Sequence, residues 1–165
     1  MSRSLNKIIL IFALVGLISF GWYRWSGNNN HSGLIDLASG KRLMVVNVLD
    51  PEQYQDCHIK GSINVPFDRL ESFAQKLDQE TELVFYCSNY MCAASGKAAQ
   101  LLEQKGFKRV WAYEAGMADW YQKQLPVEGG CKSAYLNMKN YPLQAEEQAS
   151  FVTISTNDLK AKLGY

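Results

Sequence analysis

Two short apolar runs, residues 43–49 (LMVVNVL) and 83–86 (LVFY), constrain the fold of this chain most. Each has the length of a strand and almost no polar position, which fits a strand covered on both faces rather than on one. Helix signals lie between and after them. Asp50, Pro51 and Gln53 form a helix start, with Asp as N-cap, Pro at the first helical position and Gln at the third. Leu70, Phe73, Ala74 and Leu77 follow the i, i+3, i+4, i+7 spacing of one helix face. Residues 93–104 place Ala98, Leu101 and Leu102 on one side, and Gly106 follows as a C-terminal stop. Residues 62–65 and 110–113 read as further strands, and 117–121 as a short helix. This alternation predicts an α/β fold, a parallel sheet flanked by helices on both faces.

The N-terminus is a different object. Of the first 25 residues, 16 are apolar, and the three charges among them, Arg3, Lys7 and Arg24, are all positive. An apolar run that extends to Trp25 gives about 27 Å of helix, just long enough to span a bilayer. Residues 1–25 therefore read as one transmembrane helix that acts as a membrane anchor. The positive flank keeps the N-terminus cytoplasmic and exports the rest, to the periplasm or its equivalent. A signal peptide cleaved near Ser19-Phe20-Gly21, with the domain secreted, is the competing reading. Residues 26–33 read as a polar linker, 34–130 as the α/β domain and 131–165 as a C-terminal extension of unassigned role. Within that extension, 151–154 has strand character and 155–163 reads as a capped helix with Thr156 or Asn157 near its start. The whole chain carries 17 Lys and Arg against 16 Asp and Glu, so no basic excess points to nucleic acid.

Export gives the four cysteines a meaning, because disulfides persist in oxidising compartments. Cys57, Cys87, Cys92 and Cys131 allow three complete pairings, and spacing does not choose among them. Cys87 has the most informative setting. It ends an apolar strand, and a helix begins about six residues later, so it should stand where ligands bind in an open parallel sheet. A loop returning to a helix N-terminus aims backbone N–H groups and the positive dipole end inward. A thiol held there is expected to have a lowered pKa and to be a nucleophilic thiolate.

The stretch from about residue 43 to 129 resembles a single rhodanese, or sulfurtransferase, domain. The resemblance rests on an ordered set of segments: Val45-Val46-Asn47-Val48 with Asp50 to Tyr54, His58 to Pro66, and Tyr86-Cys87 with its loop. Gly106 to Val110, Ala115-Gly116-Met117, Trp120 and Leu125-Pro126-Val127 continue it. It implies the rhodanese-like fold and a catalytic Cys87 that carries sulfane sulfur as a persulfide and passes it to a thiol acceptor. It also implies that Ser88, Asn89, Tyr90, Met91 and Cys92 bind the substrate sulfur through loop N–H groups. No cofactor or metal is implied. The sequence departs from the family pattern at four places, one of them Ala115-Gly116, which replaces a double Gly. Cys92 stands where many family loops carry an Arg, leaving the loop without a basic side chain suited to thiosulfate. Cys57 replaces a usual Gly, and Asn47 a common Asp.

Cys92 has three readings: a resolving thiol catalytic together with Cys87, a half-cystine paired with Cys57 or Cys131, or a small buried residue. His58 reads as structural rather than as a general base. Trp111, Tyr113, Trp120 and Tyr121 read as packing aromatics, and Tyr90 and Met91 as loop-tip contacts. The expected function is an exported, membrane-tethered sulfurtransferase that uses a small sulfur donor and a thiol acceptor. Two alternatives stand beside it. One is a thiol–disulfide or sulfur-relay protein that uses Cys87 and Cys92 with a protein redox partner. The other is a non-catalytic rhodanese-like interaction module.

Overall fold

The second of the two apolar runs becomes the central strand of the sheet. In the computed structural model, which describes residues 34–36, 42–139, 141 and 150–165, β1 is Leu34–Asp36, β2 Arg42–Asn47 and β5 Glu82–Tyr86. β2 and β5 are parallel, with Leu43 opposite Glu82 and Asn47 opposite Tyr86. β6 (Val110–Tyr113) extends the sheet in parallel beyond β5. On the other side of β2, β4 (Ile63–Asn64) pairs in parallel near its carboxyl end. β1 pairs near its start and is antiparallel, a correction to an all-parallel sheet. Only residues 37–41 separate β1 from β2, too few for a parallel crossover. β3 (His58–Ile59) and β7 (Val127–Glu128) form a separate antiparallel pair.

Strand alternation divides the core between two faces. Met44, Val46, Leu83, Phe85 and Cys87 face one side. There they meet Leu70 and Ala74 of α2 (Leu70–Ala74) and Ala98, Ala99 and Leu102 of α3 (Ala94–Gln104). Leu43, Val45, Val84 and Tyr86 face the other, against Cys57, Ile59, and Met117 and Trp120 of α4 (Gly116–Gln122). The expected α/β arrangement with helices on both faces is therefore present. α1 (Pro51–Asp56) begins where the Asp-Pro signal places it, but Asp50 makes no side-chain capping bond; its carbonyl accepts the Tyr54 N–H instead.

The described part of the C-terminal segment folds onto this domain. Cys131 is disulfide-bonded to Cys57, at the end of α1. The Asp56 carboxylate accepts the N–H groups of Lys132 and Ser133, and the Ser133 side chain first, then these N–H groups, hold it below the usual carboxylate range. The strand expected at 151–154 reduces to a single bridge beside β6, in which Ala112 donates to the Val152 carbonyl and accepts from the Ile154 N–H. It stops there because Ser155 immediately caps α5 (Thr156–Lys162), its hydroxyl accepting the Asp158 N–H. Leu136, Ile154 and Leu159 are buried on the α4 face, and Lys162 pairs with the buried Glu82. The N-terminal anchor or signal peptide and its linker lie outside the described residues. Among the described residues no helix is long and apolar enough to cross a membrane.

Candidate active site

Cys87 is the first residue after β5, and the alternation of that strand turns its side chain toward α3. It is fully buried. Its Sγ lies 3.0 Å from the Cys92 carbonyl oxygen and 3.4 Å from Ser95 Oγ. Ser95, a buried serine in the first turn of α3, is a site residue that sequence reasoning missed. Its one available signal was its place at the start of the helix that the loop leads into.

The loop is held from below by α4. The first N–H groups of a helix have no partner within it, and here Met117 donates to the Cys87 carbonyl and Ala118 to the Ser88 carbonyl, both at 2.9 Å. Gly116 makes this approach possible. Its φ is 64°, and a β-carbon there would stand 2.7 Å from the Cys87 oxygen and 2.8 Å from the Asn89 nitrogen. The tip is tied by Asn89, whose side-chain oxygen accepts the Met91 N–H at 3.1 Å and whose carbonyl accepts the Cys92 N–H at 3.0 Å. These two amides, expected to point at a substrate sulfur, are thus engaged within the loop. Ser88, Asn89 and Tyr90 are half-buried, while Met91 is 76% exposed at the tip.

The two free thiols lie close together, with the Cys92 carbonyl against Cys87 Sγ and the Cys92 side chain packed on the same core face, and their environments push their pKa values apart. Cys87 is raised, first because it serves as donor to Cys92 and then because it is buried. Cys92 is lowered, first by accepting from Cys87, with further support from Ala94 and Ser88 donors. The lowered thiol pKa expected at Cys87 therefore belongs to Cys92. The first sulfur is covered by the protein and faces a carbonyl, whereas the second is half-buried.

The disulfide between Cys57 and Cys131 removes the half-cystine reading of Cys92, which is free and half-buried. His58 is structural: it stacks on Tyr54, and its Nδ1 lies 2.8 Å from the Tyr54 carbonyl. Tyr113 and Trp120 are fully buried, and Trp111 and Tyr121 pack against the same core, as expected of packing aromatics.

Residues 31–123 match the rhodanese-like domain family. The thiosulfate sulfurtransferase GlpE of Coxiella burnetii is 26% identical over 91 residues, covering 55% of this chain and 83% of the relative. GlpE of Shewanella oneidensis is 28% identical over 89 residues, covering 54% and 86%. Among solved structures, a Bacillus halodurans protein superposes with a TM-score of 0.52 at 32% identity, covering 59% of this chain and 72% of its own. A Lactobacillus plantarum protein gives 0.50 at 28%, covering 55% and 76%.

Proposed function

The chain belongs to the rhodanese-like domain family, and from that membership we propose that it is a sulfurtransferase whose Cys87 carries sulfane sulfur as a persulfide. The observation that carries this reading is the place of Cys87. It follows the central strand, its sulfur faces Ser95 Oγ at 3.4 Å, and the carbonyl of a second cysteine, Cys92, lies 3.0 Å from it. As the donor reacts, Cys87 gives its proton to the leaving group or to water. The Cys87 sulfur then attacks the sulfane sulfur of the donor. A new S–S bond forms, the bond from that sulfur to the rest of the donor breaks, and the leaving group departs with the electron pair. An acceptor thiolate next attacks the outer sulfur of the persulfide, and the electron pair of the broken bond returns to Cys87. Ser88, Asn89, Tyr90 and Met91 form the rim that donor and acceptor meet. With no basic side chain on that rim, a persulfide donor suits it better than the dianion thiosulfate.

The reading includes location. The basic-flanked apolar segment 1–25 supports a single-pass anchor with the domain exported. The Cys57–Cys131 disulfide supports an oxidising compartment. A transfer assay tests the activity: with a persulfide donor and a thiol acceptor, Cys87→Ser should lose transfer to background. Retention of the wild-type rate by Cys87→Ser would overturn the assignment.

A further inference from the structure

Cys87 and Cys92 differ in a way that sulfur carriage does not require. Cys87 is fully buried, with its sulfur against the Cys92 carbonyl and Ser95 Oγ. Cys92 is half-buried, and its side chain packs against the same core cluster as Cys87. The Asn89 turn closes the loop between them and brings the Cys92 carbonyl within 3.0 Å of Cys87 Sγ. A bulky disulfide therefore meets Cys92 before Cys87. Cys87 stands behind it, placed to attack what has arrived on Cys92. The other two cysteines do not compete, because Cys57 is buried on the opposite face of the sheet and bonded to Cys131.

We propose that this loop is also a dithiol–disulfide exchange site, in which Cys92 attacks an external disulfide and Cys87 resolves the mixed disulfide. In the first step the Cys92 thiolate attacks one sulfur of R–S–S–R. The Cys92–S–S–R bond forms, and one R–S⁻ leaves with the electron pair of the broken bond. In the second step Cys87 gives its proton to the released thiolate or to water and attacks the Cys92 sulfur. The Cys87–Cys92 disulfide forms and the second R–S⁻ leaves. The protein loses two electrons and the Cys87 proton, and the external disulfide becomes one thiol and one thiolate, the latter taking its proton from water. An external dithiol reverses the change by the same exchange and restores the reduced pair. The lowered pKa of Cys92 agrees with this order of attack, because the thiolate is the attacking form.

This activity goes beyond sulfur transfer and needs no sulfane sulfur, so it can be tested without a sulfur donor. The full chain, with Cys87 and Cys92 reduced, is mixed with glutathione disulfide and followed by intact mass and thiol mapping. Wild type should release two glutathiones and end with a Cys87–Cys92 disulfide. Cys87→Ser and Cys87→Ala should each accumulate a stable glutathione adduct on Cys92. Cys92→Ser should react more slowly, on the order of tenfold or more, because its remaining thiol is covered and protonated. An intact Cys57–Cys131 bridge in the same mass map, with an unchanged circular dichroism spectrum, confirms that each variant is folded. An adduct forming on Cys87 in Cys92→Ser as fast as on Cys92 in Cys87→Ser would overturn the order of attack. A wild-type protein that never forms the internal disulfide would overturn the site. Loss of sulfur transfer alone in Cys87→Ser would leave this result unchanged, so the two readings fail separately.

Discussion

The molecule holds two pairs of cysteines in opposite conditions. Cys57 and Cys131 are 74 residues apart and bonded, on the face of the sheet covered by α4 and the C-terminal segment. Cys87 and Cys92 are five residues apart, in contact through a hydrogen bond from Cys87 Sγ to the Cys92 carbonyl and not disulfide-bonded, on the face covered by α3. Around the first pair the backbone is also clamped: Asp56 accepts three N–H groups through its carbonyl and carboxylate, from Cys131, Lys132 and Ser133. Around the second, donors and acceptors are shared out so that one sulfur is covered and the other is presented. Sequence proximity is thus no guide to which cysteines are structural. The surroundings decide it, by closing a long loop in one place and stabilising a thiolate in the other.

The comparison can be broken most strongly at the bonded pair. In the double variant Cys57→Ala with Cys131→Ala, the loop-entropy relation for a 74-residue separation predicts a loss of about 4 kcal/mol in unfolding free energy. Chemical denaturation measures it, and alkylation of Cys87 and Cys92 in the native state should keep its rate. Gly116→Ala comes next. A β-carbon in the left-handed region, in overlap with the backbone of residues 87–89, should cost about 3 kcal/mol and abolish sulfur transfer by displacing the loop. Phe151→Ala removes a half-buried ring that lies over Gly96 and should cost about 1–2 kcal/mol. Limited proteolysis should then cut first within residues 150–165. The smallest effect sharpens the other pair without changing stability. An ordinary thiol loses reactivity as pH falls below about 8.5, whereas Cys92, held low by its donors, should keep its alkylation rate through neutrality and lose it only at acid pH.

The parts of the fold that were legible are those written in local patterns. The run 83–86 sits within β5, all of it buried, and residues 110–113 are β6. Leu70, Phe73 and Ala74 share one packed face of α2, because helix periodicity records which side is buried, while Leu77 reaches the same core from the turn beyond the helix end. The antiparallel β1 and the single bridge at Thr153 were not legible. Edge pairing depends on what lies next to β2 and β6 in space. The Cys57–Cys131 pairing joins the end of α1 to the C-terminal segment, which no spacing rule encodes. At the site, the position of Cys87 followed from strand and helix boundaries. Which thiol has the lowered pKa did not, because it depends on how the Asn89 turn folds the loop, burying Cys87 and leaving Cys92 half-buried. Ser95 escaped for the same reason: its meaning comes from the 3.4 Å contact with Cys87 and not from its neighbours in sequence.

The central claim, that Cys87 carries the transferred sulfur, is tested most directly by intact mass after exposure to a persulfide donor. Cys92→Ser is the protein to use, since no second thiol in the loop can discharge the adduct. One added sulfur atom is expected, located on Cys87 by peptide mapping and absent when Cys87→Ser is added to the same chain. No added sulfur, or an adduct that survives Cys87→Ser, would contradict it.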